Sequence, residues 1–328
     1  MKHATSLAKI GLENAARILQ TAHAWKKEPP RPHLAGKILG MLFFNPSLRT
    51  RASFEAVMLR GGGHAIVLDA GDTWKVEDRV GAVMDGDRPE HLKEAVPVLS
   101  RYVDALGVRT FAANTDDDSD HADRIIRAFE EYATVPVVSM ESAREHPCQG
   151  LADVMTIEEE FGNAAGLPVT LTWAPHIKPL PKAVPNSFLL TAAARGCEIR
   201  VAHPPGFDLH PTVRAEAERY AAARGGSISY THDQATALAG ARAVYAKAWG
   251  PATGAALPPE SVRQHNDWMI TPARMALAAD DAIFLHCLPV RRNVEIADAV
   301  LDGRWSRVIA QAENRFHLQR ALLDWLLD

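Results

Sequence analysis

Chemistry is densest in this chain at Asn45-Pro46-Ser47-Leu48-Arg49-Thr50-Arg51. An apolar run read as a strand (38–44) precedes it, and a helical pattern (53–60) follows. Where a parallel strand ends and a helix begins, free N–H groups and the positive end of the helix dipole form an anion site. Ser47 and Thr50 add hydroxyl groups, and Arg49 offers paired N–H groups to phosphate or carbonyl oxygen. A capped helix carrying two solvated arginines would use the same residues, and no glycine-rich phosphate loop decides between the two.

Further groups stand at other strand ends, where open α/β sheets bind ligands. Arg109 follows the run 105–108, and His146-Pro147-Cys148-Gln149 follows the run 135–139. Together with Arg49 they make a set suited to a phosphate beside a carbonyl, although His146 alone also suits a helix cap or a core. His286-Cys287-Leu288-Pro289 closes another strand, with Arg291 and Arg292 just beyond. Cys287 has nucleophilic chemistry available, but His286 should face the other side of the strand, so an inert buried thiol is the simpler reading. Arg315 precedes the final helical pattern, and Trp74 sits between Gly71, Asp72 and Lys75 as an aromatic on a loop or a half-buried core residue.

The elements that must position these groups alternate. Strand patterns at 38–44, 64–68, 105–108 and 135–139 are separated by helical patterns at 53–60, 91–102 and 121–132. A helix at 148–161 follows. A second series then has strands at 169–173, 198–202, 227–230, 243–246, 268–270 and 282–286, with helices at 187–195 and 211–224 and a last helix at 316–327. Such alternation predicts two α/β domains, each a doubly wound parallel sheet. With 328 residues, two domains are also the default. We place them at 1–145, completed by 313–328, and at 146–312. Residues 173–187 hold four prolines and read as an extended loop, a surface connector or a substrate-facing segment carrying His176 and Lys178.

Bulk properties narrow the class. A 47% apolar, 23% charged chain with a net charge of −4 is an ordinary globular protein and not a general binder of nucleic acid or acidic membranes. Three scattered cysteines make no disulfide framework, and no zinc spacing occurs, so no structural metal is expected. The first twenty residues read as an amphipathic helix, not a signal peptide, and no apolar run reaches bilayer length, so a cytoplasmic protein is expected.

In this order the motifs resemble the aspartate/ornithine carbamoyltransferase family. Ser47-Leu48-Arg49-Thr50-Arg51 is similar to its phosphate loop, His146-Pro147-Cys148-Gln149 to its carbonyl-binding motif, and His286-Cys287-Leu288-Pro289 to that of the ornithine branch. The resemblance implies that Ser47, Leu48, Arg49, Thr50, Arg109 and Arg315 hold carbamoyl phosphate. Arg49 and His146 would polarise its carbonyl, while Gln149 and the Cys287–Leu288 main chain orient its –NH2. It further implies a homotrimer with shared active sites, the loop of Trp74 being lent by a neighbouring subunit.

Two features depart from ordinary ornithine enzymes. Ala246-Lys247-Ala248-Trp249-Gly250 replaces the family's acidic residue and Ser-Met-Gly loop, and a lysine suits an α-nitrogen neutralised by acylation. The proline-rich segment is similar to that of the N-acylornithine enzymes, where it belongs to a trefoil knot, an exception among folds. Glu141, His176, Lys247 and Arg291 are then implied as acylornithine ligands. Pro89 occupies the position held by glutamate in acetyl-preferring relatives and by proline in succinyl-preferring ones. An anion there would oppose the succinyl carboxylate, and Arg88 adds positive charge. Succinylornithine is the expected acceptor, ahead of acetylornithine, ornithine and putrescine. A non-catalytic phosphate-ligand binder would have no need of the full residue set. A nucleotide-binding reading lacks its glycine fingerprint.

Overall fold

The computed structural model describes residues 1–69, 75–252 and 265–328. The chain divides into two compact units, one of Met1–Ala112, Ala122–Cys148 and Arg315–Asp328, the other of Ala113–His121 and Gln149–Asn314. Ala113–His121 thus falls with the second unit, contrary to expectation. Its helix residue Asp117 accepts from Lys182 Nζ at 2.7 Å, and His121 stacks on His210 with ring centroids 3.9 Å apart.

The first unit holds a four-stranded, all-parallel sheet in the spatial order His64–Asp69, Ile38–Phe43, Ala105–Arg109, Val137–Glu141. Ala4 adds one more parallel bridge beside Val138. In chain order this is 2-1-3-4, so the winding reverses between Ile38–Phe43 and Ala105–Arg109. Side chains from the strands and two helices, among them Val96, Leu106, Val108, Ile126 and Phe129, form a buried core. Fully burying each such side chain stabilises by about 1.5–3 kcal/mol.

The second unit holds five parallel strands in the order Ile283–Leu285, Ala243–Lys247, Pro168–Trp173, Glu198–Ala202, Ser227–Thr231. Its winding reverses between Pro168–Trp173 and Ala243–Lys247, where Lys247 pairs with Trp173. Both sheets are doubly wound, as the alternation predicted. Doubly wound sheets bind ligands at the carboxyl ends of strands beside such a reversal, because the two flanking loops diverge to opposite faces and leave a crevice.

Several local expectations change. The first twenty residues form two helices, Leu7–Ile10 and Leu12–Lys26, parted by Gly11 at φ +82°. The pattern at 121–132 breaks at Asp123, whose φ of 49° is left-handed, a conformation a short polar side chain tolerates. Residues 268–270 are no strand: Asn266–Trp268 is a 3₁₀ turn and Ile270 makes one bridge. The extended proline-rich loop ends early, because Ala183–Ala194 is helical. Pro185 lies in that helix's first turn, where its missing N–H costs no hydrogen bond.

Candidate active site

The first unit places its candidates around one winding reversal. Phe44 N–H donates to Arg109 O at 3.0 Å, and Asn45 Oδ1 accepts from Phe111 N–H at 2.7 Å, tying the two strand ends together. The helix begins at Leu48, five residues earlier than its apolar pattern. Ser47, in extended backbone, caps it: Oγ accepts from Thr50 N–H at 3.3 Å. The first turn is polar and Leu48 is 80% exposed, so hydrophobic periodicity had nothing to detect there. Leu48 can therefore offer a ligand main chain, with half-buried Arg49 on the same turn.

Arg315 lies inside the Val308–Leu327 helix and not ahead of it, as the sequence had suggested. Its Nη2 donates to the buried Thr50 Oγ1 at 3.0 Å, fixing the guanidinium against the loop. Arg109 is also buried. Its Nη1 donates to Met140 O at 3.2 Å and to Glu141 Oε2 at 2.6 Å, and its guanidinium covers the Phe111 ring at 4.5 Å. Glu141 ends its strand at φ 128°, a conformation that costs a non-glycine residue on the order of 1–3 kcal/mol. The Arg109 pair and Thr110 N–H, which donates to Glu141 O at 2.9 Å, hold it there. Glu141, expected among the acylornithine ligands, is thus engaged with Arg109.

His146, just before the Pro147–Phe161 helix, is buried. Burial first, then the charges of Arg315 and Arg109, hold its pKa well below the usual histidine value. A neutral imidazole beside two guanidiniums polarises a carbonyl by hydrogen bonding; it carries no spare proton to deliver. Two buried guanidiniums, Arg109 and Arg315, thus stand near His146, and guanidinium is well suited to bind phosphate.

The second unit gathers the other set. Lys247, the buried last residue of its strand at the reversal point, bears electrostatically on His176 and Glu295. Arg291 Nε donates to His176 Nε2 at 3.0 Å, so the ring proton sits on Nδ1, which meets Lys178 O at 2.8 Å. Burial lowers the His176 pKa, in keeping with that neutral tautomer. Glu295 is buried, and burial would raise its carboxyl. His286, Lys247 and Arg291 N–H (2.6 Å to Oε2) outweigh burial and hold it below the usual range. Leu288, at φ 56°, donates its N–H to His286 Nδ1 at 3.0 Å, and the Leu288–Pro289 bond is cis. The Cys287 thiol is half-buried next to the Tyr245 hydroxyl. Gln149, in the first turn of its helix, donates Nε2 to Asp153 Oδ1 at 2.7 Å.

Asp153, Gln311 and Glu295 escaped the sequence reading. Asp153 was findable, four residues after Gln149 and hence on the same helix face. Gln311 and Glu295 carry no local signal. Trp74 lies outside the described residues. Pro89 is exposed, and Arg88 beside it lies 3.8 Å from Glu77 and 3.9 Å from Asp78, carboxylates that Arg79 and Arg124 also engage. No group of three or more His, Cys, Asp or Glu among the described residues could hold a metal ion, and no helix there is long and apolar enough to cross a membrane.

Comparison with known proteins identifies the family of both domains. Residues 2–159 match the aspartate/ornithine carbamoyltransferase carbamoyl-P binding domain, and residues 181–326 the Asp/Orn binding domain of the same family. An N-acetylornithine carbamoyltransferase of Xanthomonas campestris is 41% identical over 94% of this chain and 93% of its own. An N-succinylornithine carbamoyltransferase of Bacteroides thetaiotaomicron is also 41% identical, over 85% of this chain and 84% of its own. Among solved structures, a glutamate-to-proline variant of N-acetyl-L-ornithine transcarbamylase, complexed with carbamyl phosphate and N-succinyl-L-norvaline, superposes with a TM-score of 0.96. It is 40% identical, over 99% of this chain and 100% of that one. With both domains matched and the cationic strand ends in place, the chain belongs to the aspartate/ornithine carbamoyltransferase family and is a carbamoyltransferase.

Proposed function

We propose that the acceptor is the δ-amine of N-succinylornithine, giving N-succinylcitrulline and phosphate, as a step of arginine biosynthesis. Ser47, Leu48, Arg49, Thr50, Arg109 and Arg315 hold carbamoyl phosphate. Arg49 and neutral His146 draw electron density from its carbonyl, and Gln149 with the Cys287 and Leu288 main chain orients its –NH2. Glu141, His176, Lys247 and Arg291 take the acylornithine. The neutral δ-amine attacks the carbonyl carbon, a tetrahedral oxyanion forms among the arginines, and phosphate departs with a proton from the amine. Prearranged cations stabilise the developing charge, and holding the reactants in place supplies the rest. The reaction needs no cofactor and no covalent enzyme intermediate.

The acceptor assignment is carried by Pro89. Glutamate at this place would set a carboxylate against the succinyl carboxylate, and the related transcarbamylase with proline in place of glutamate was crystallised with a succinylated ligand. Buried Lys247 adds support, since it would repel a free α-ammonium and tolerates an acylated nitrogen. Acetylornithine is the second reading, favoured by the Xanthomonas relative. Assembly as a trimer, with Trp74 completing a neighbour's site, a knot near the proline-rich segment and a cytoplasmic location belong to the same proposal. Phosphate release from carbamoyl phosphate, measured in parallel with ornithine, acetylornithine and succinylornithine, tests the acceptor. Succinylornithine should turn over fastest; equal or faster turnover of acetylornithine removes the Pro89 argument.

A further inference from the structure

Gln149 and Leu288 belong to motifs nearly 140 residues apart, yet one buried chain of hydrogen bonds runs between them. Asp153 Oδ1 accepts from Gln149 Nε2 at 2.7 Å and from Gln311 Nε2 at 2.5 Å. Gln311 Oε1 accepts from His286 N–H at 2.9 Å, and His286 Nδ1 accepts from Leu288 N–H at 3.0 Å. Asp153, Gln311, Gln149 and His286 are all at most 1% exposed. The Tyr245 hydroxyl adjoins Asp153 and Cys287.

Every amide in this chain has its orientation dictated by chemistry. A carboxylate only accepts, so both glutamines turn their –NH2 groups toward Asp153. Gln311 then has its carbonyl oxygen facing the His286 N–H, which only donates, and the two ends agree. The Leu288 N–H likewise forces the His286 proton onto Nε2. At Gln149 the consequence is that the carbonyl oxygen, an acceptor, turns away from Asp153.

We propose that Asp153 is the positioning residue that sets Gln149 to accept from the carbamoyl –NH2, and that through Gln311 and His286 it sets the Leu288 main chain as well. The inference rests on the assignment of Gln149 to the carbamoyl group. A released Gln149 amide could flip and present donors to a group that itself donates. Because a misplacement of about 1 Å at a reacting group can cost about 10²-fold, the loss appears in turnover.

The test is a double-mutant cycle with Asp153→Asn and Gln149→Ala, reading kcat and the KM of the acceptor, with thermal melting as a control. Asp153→Asn should lower kcat about 10- to 100-fold with the acceptor KM unchanged, and should cost much less in the Gln149→Ala background, where only the Leu288 branch is left to lose. If Asp153→Asn does not fold, Asp153→Ser, which still accepts one bond, enters the same cycle. Wild-type kcat in Gln149→Ala would overturn the assignment of Gln149 itself. An impaired Gln149→Ala beside a fully active Asp153 variant, or an equal loss in both backgrounds, would overturn the positioning role.

Discussion

Acidification should expose the neutral state of His146 as a stability term. In the unfolded chain this histidine titrates near its ordinary value of 6.5, whereas the folded protein buries it beside Arg315 and Arg109 and resists its protonation. A folded pKa held below the unfolded one means that the unfolded state binds more protons as pH falls through that value. His146 thus costs nothing at pH 8, and stability is lost progressively below about pH 6.5. Titration of the unfolded imidazole limits the loss through this one group between pH 7 and 5 to at most about 2 kcal/mol. Asp123, pushed up to about 6 by burial, works in the opposite sense between that value and its ordinary 3.8. The comparison must therefore be with His146→Asn, which retains Asp123 and every other titrating group. Urea unfolding of both proteins at a series of pH values should show the wild type losing more stability than the variant over this range, up to that limit. Parallel curves, or a His146 ring resonance titrating near 6.5 in the native protein, would refute the reasoning. The same neutrality predicts that no limb of the kcat profile between pH 6 and 8 disappears in the variant, although kcat itself falls.

Three more outcomes follow from particular contacts. Arg49→Ala should lower turnover about 10²–10³-fold, the loss expected when one donor to a developing oxyanion is removed, while the melting temperature stays near wild type; an active variant contradicts its role. Trp74→Ala should weaken carbamoyl phosphate binding, read by calorimetry, without unfolding the protein, and wild-type affinity would end the idea of a shared site. Gly150→Ala should destabilise by about 1–3 kcal/mol in denaturant unfolding, because a Cβ there would lie 2.6 Å from Ser187 O on the Ala183–Ala194 helix. Replacing an ordinary helix-interior glycine with alanine would instead stabilise by about 1 kcal/mol, so the sign alone decides.

Most of the site was legible because its residues stand where local patterns end. Arg109 and His286 at strand ends, and His146 in the turn that follows a strand, announce ligand-facing positions, since parallel strands deliver their C-terminal residues to one edge of a sheet. Helix starts read less well. The first turn at Leu48–Arg51 is polar and exposed, and the prolines of residues 173–187 hid a helix start, since a first turn tolerates proline as readily as a loop does. Arg315 was assigned ahead of a helix whose interior it occupies, because Gln311, Asn314 and Arg315 face buried polar partners that interrupt the apolar pattern.

By itself the sequence determined the parallel α/β class, the two domains and the cationic carbamoyl-transfer chemistry, because periodicity and short motifs are local properties of the chain. Through the family resemblance it also pointed to Lys247 and Pro89, on which the proposed choice of acceptor rests. Only the tertiary structure decided the strand orders that set Arg109 beside the Ser47–Thr50 turn and Lys247 beside Trp173. It alone decided that His146 is neutral, that Arg88 shares Glu77 and Asp78 with Arg79 and Arg124, and that Asp153 joins Gln149 to Gln311. These depend on burial and on partners up to 169 residues apart (His146 and Arg315). Charge and hydrogen bonding act through space, and no spacing along the chain encodes which distant groups will share a low-dielectric interior.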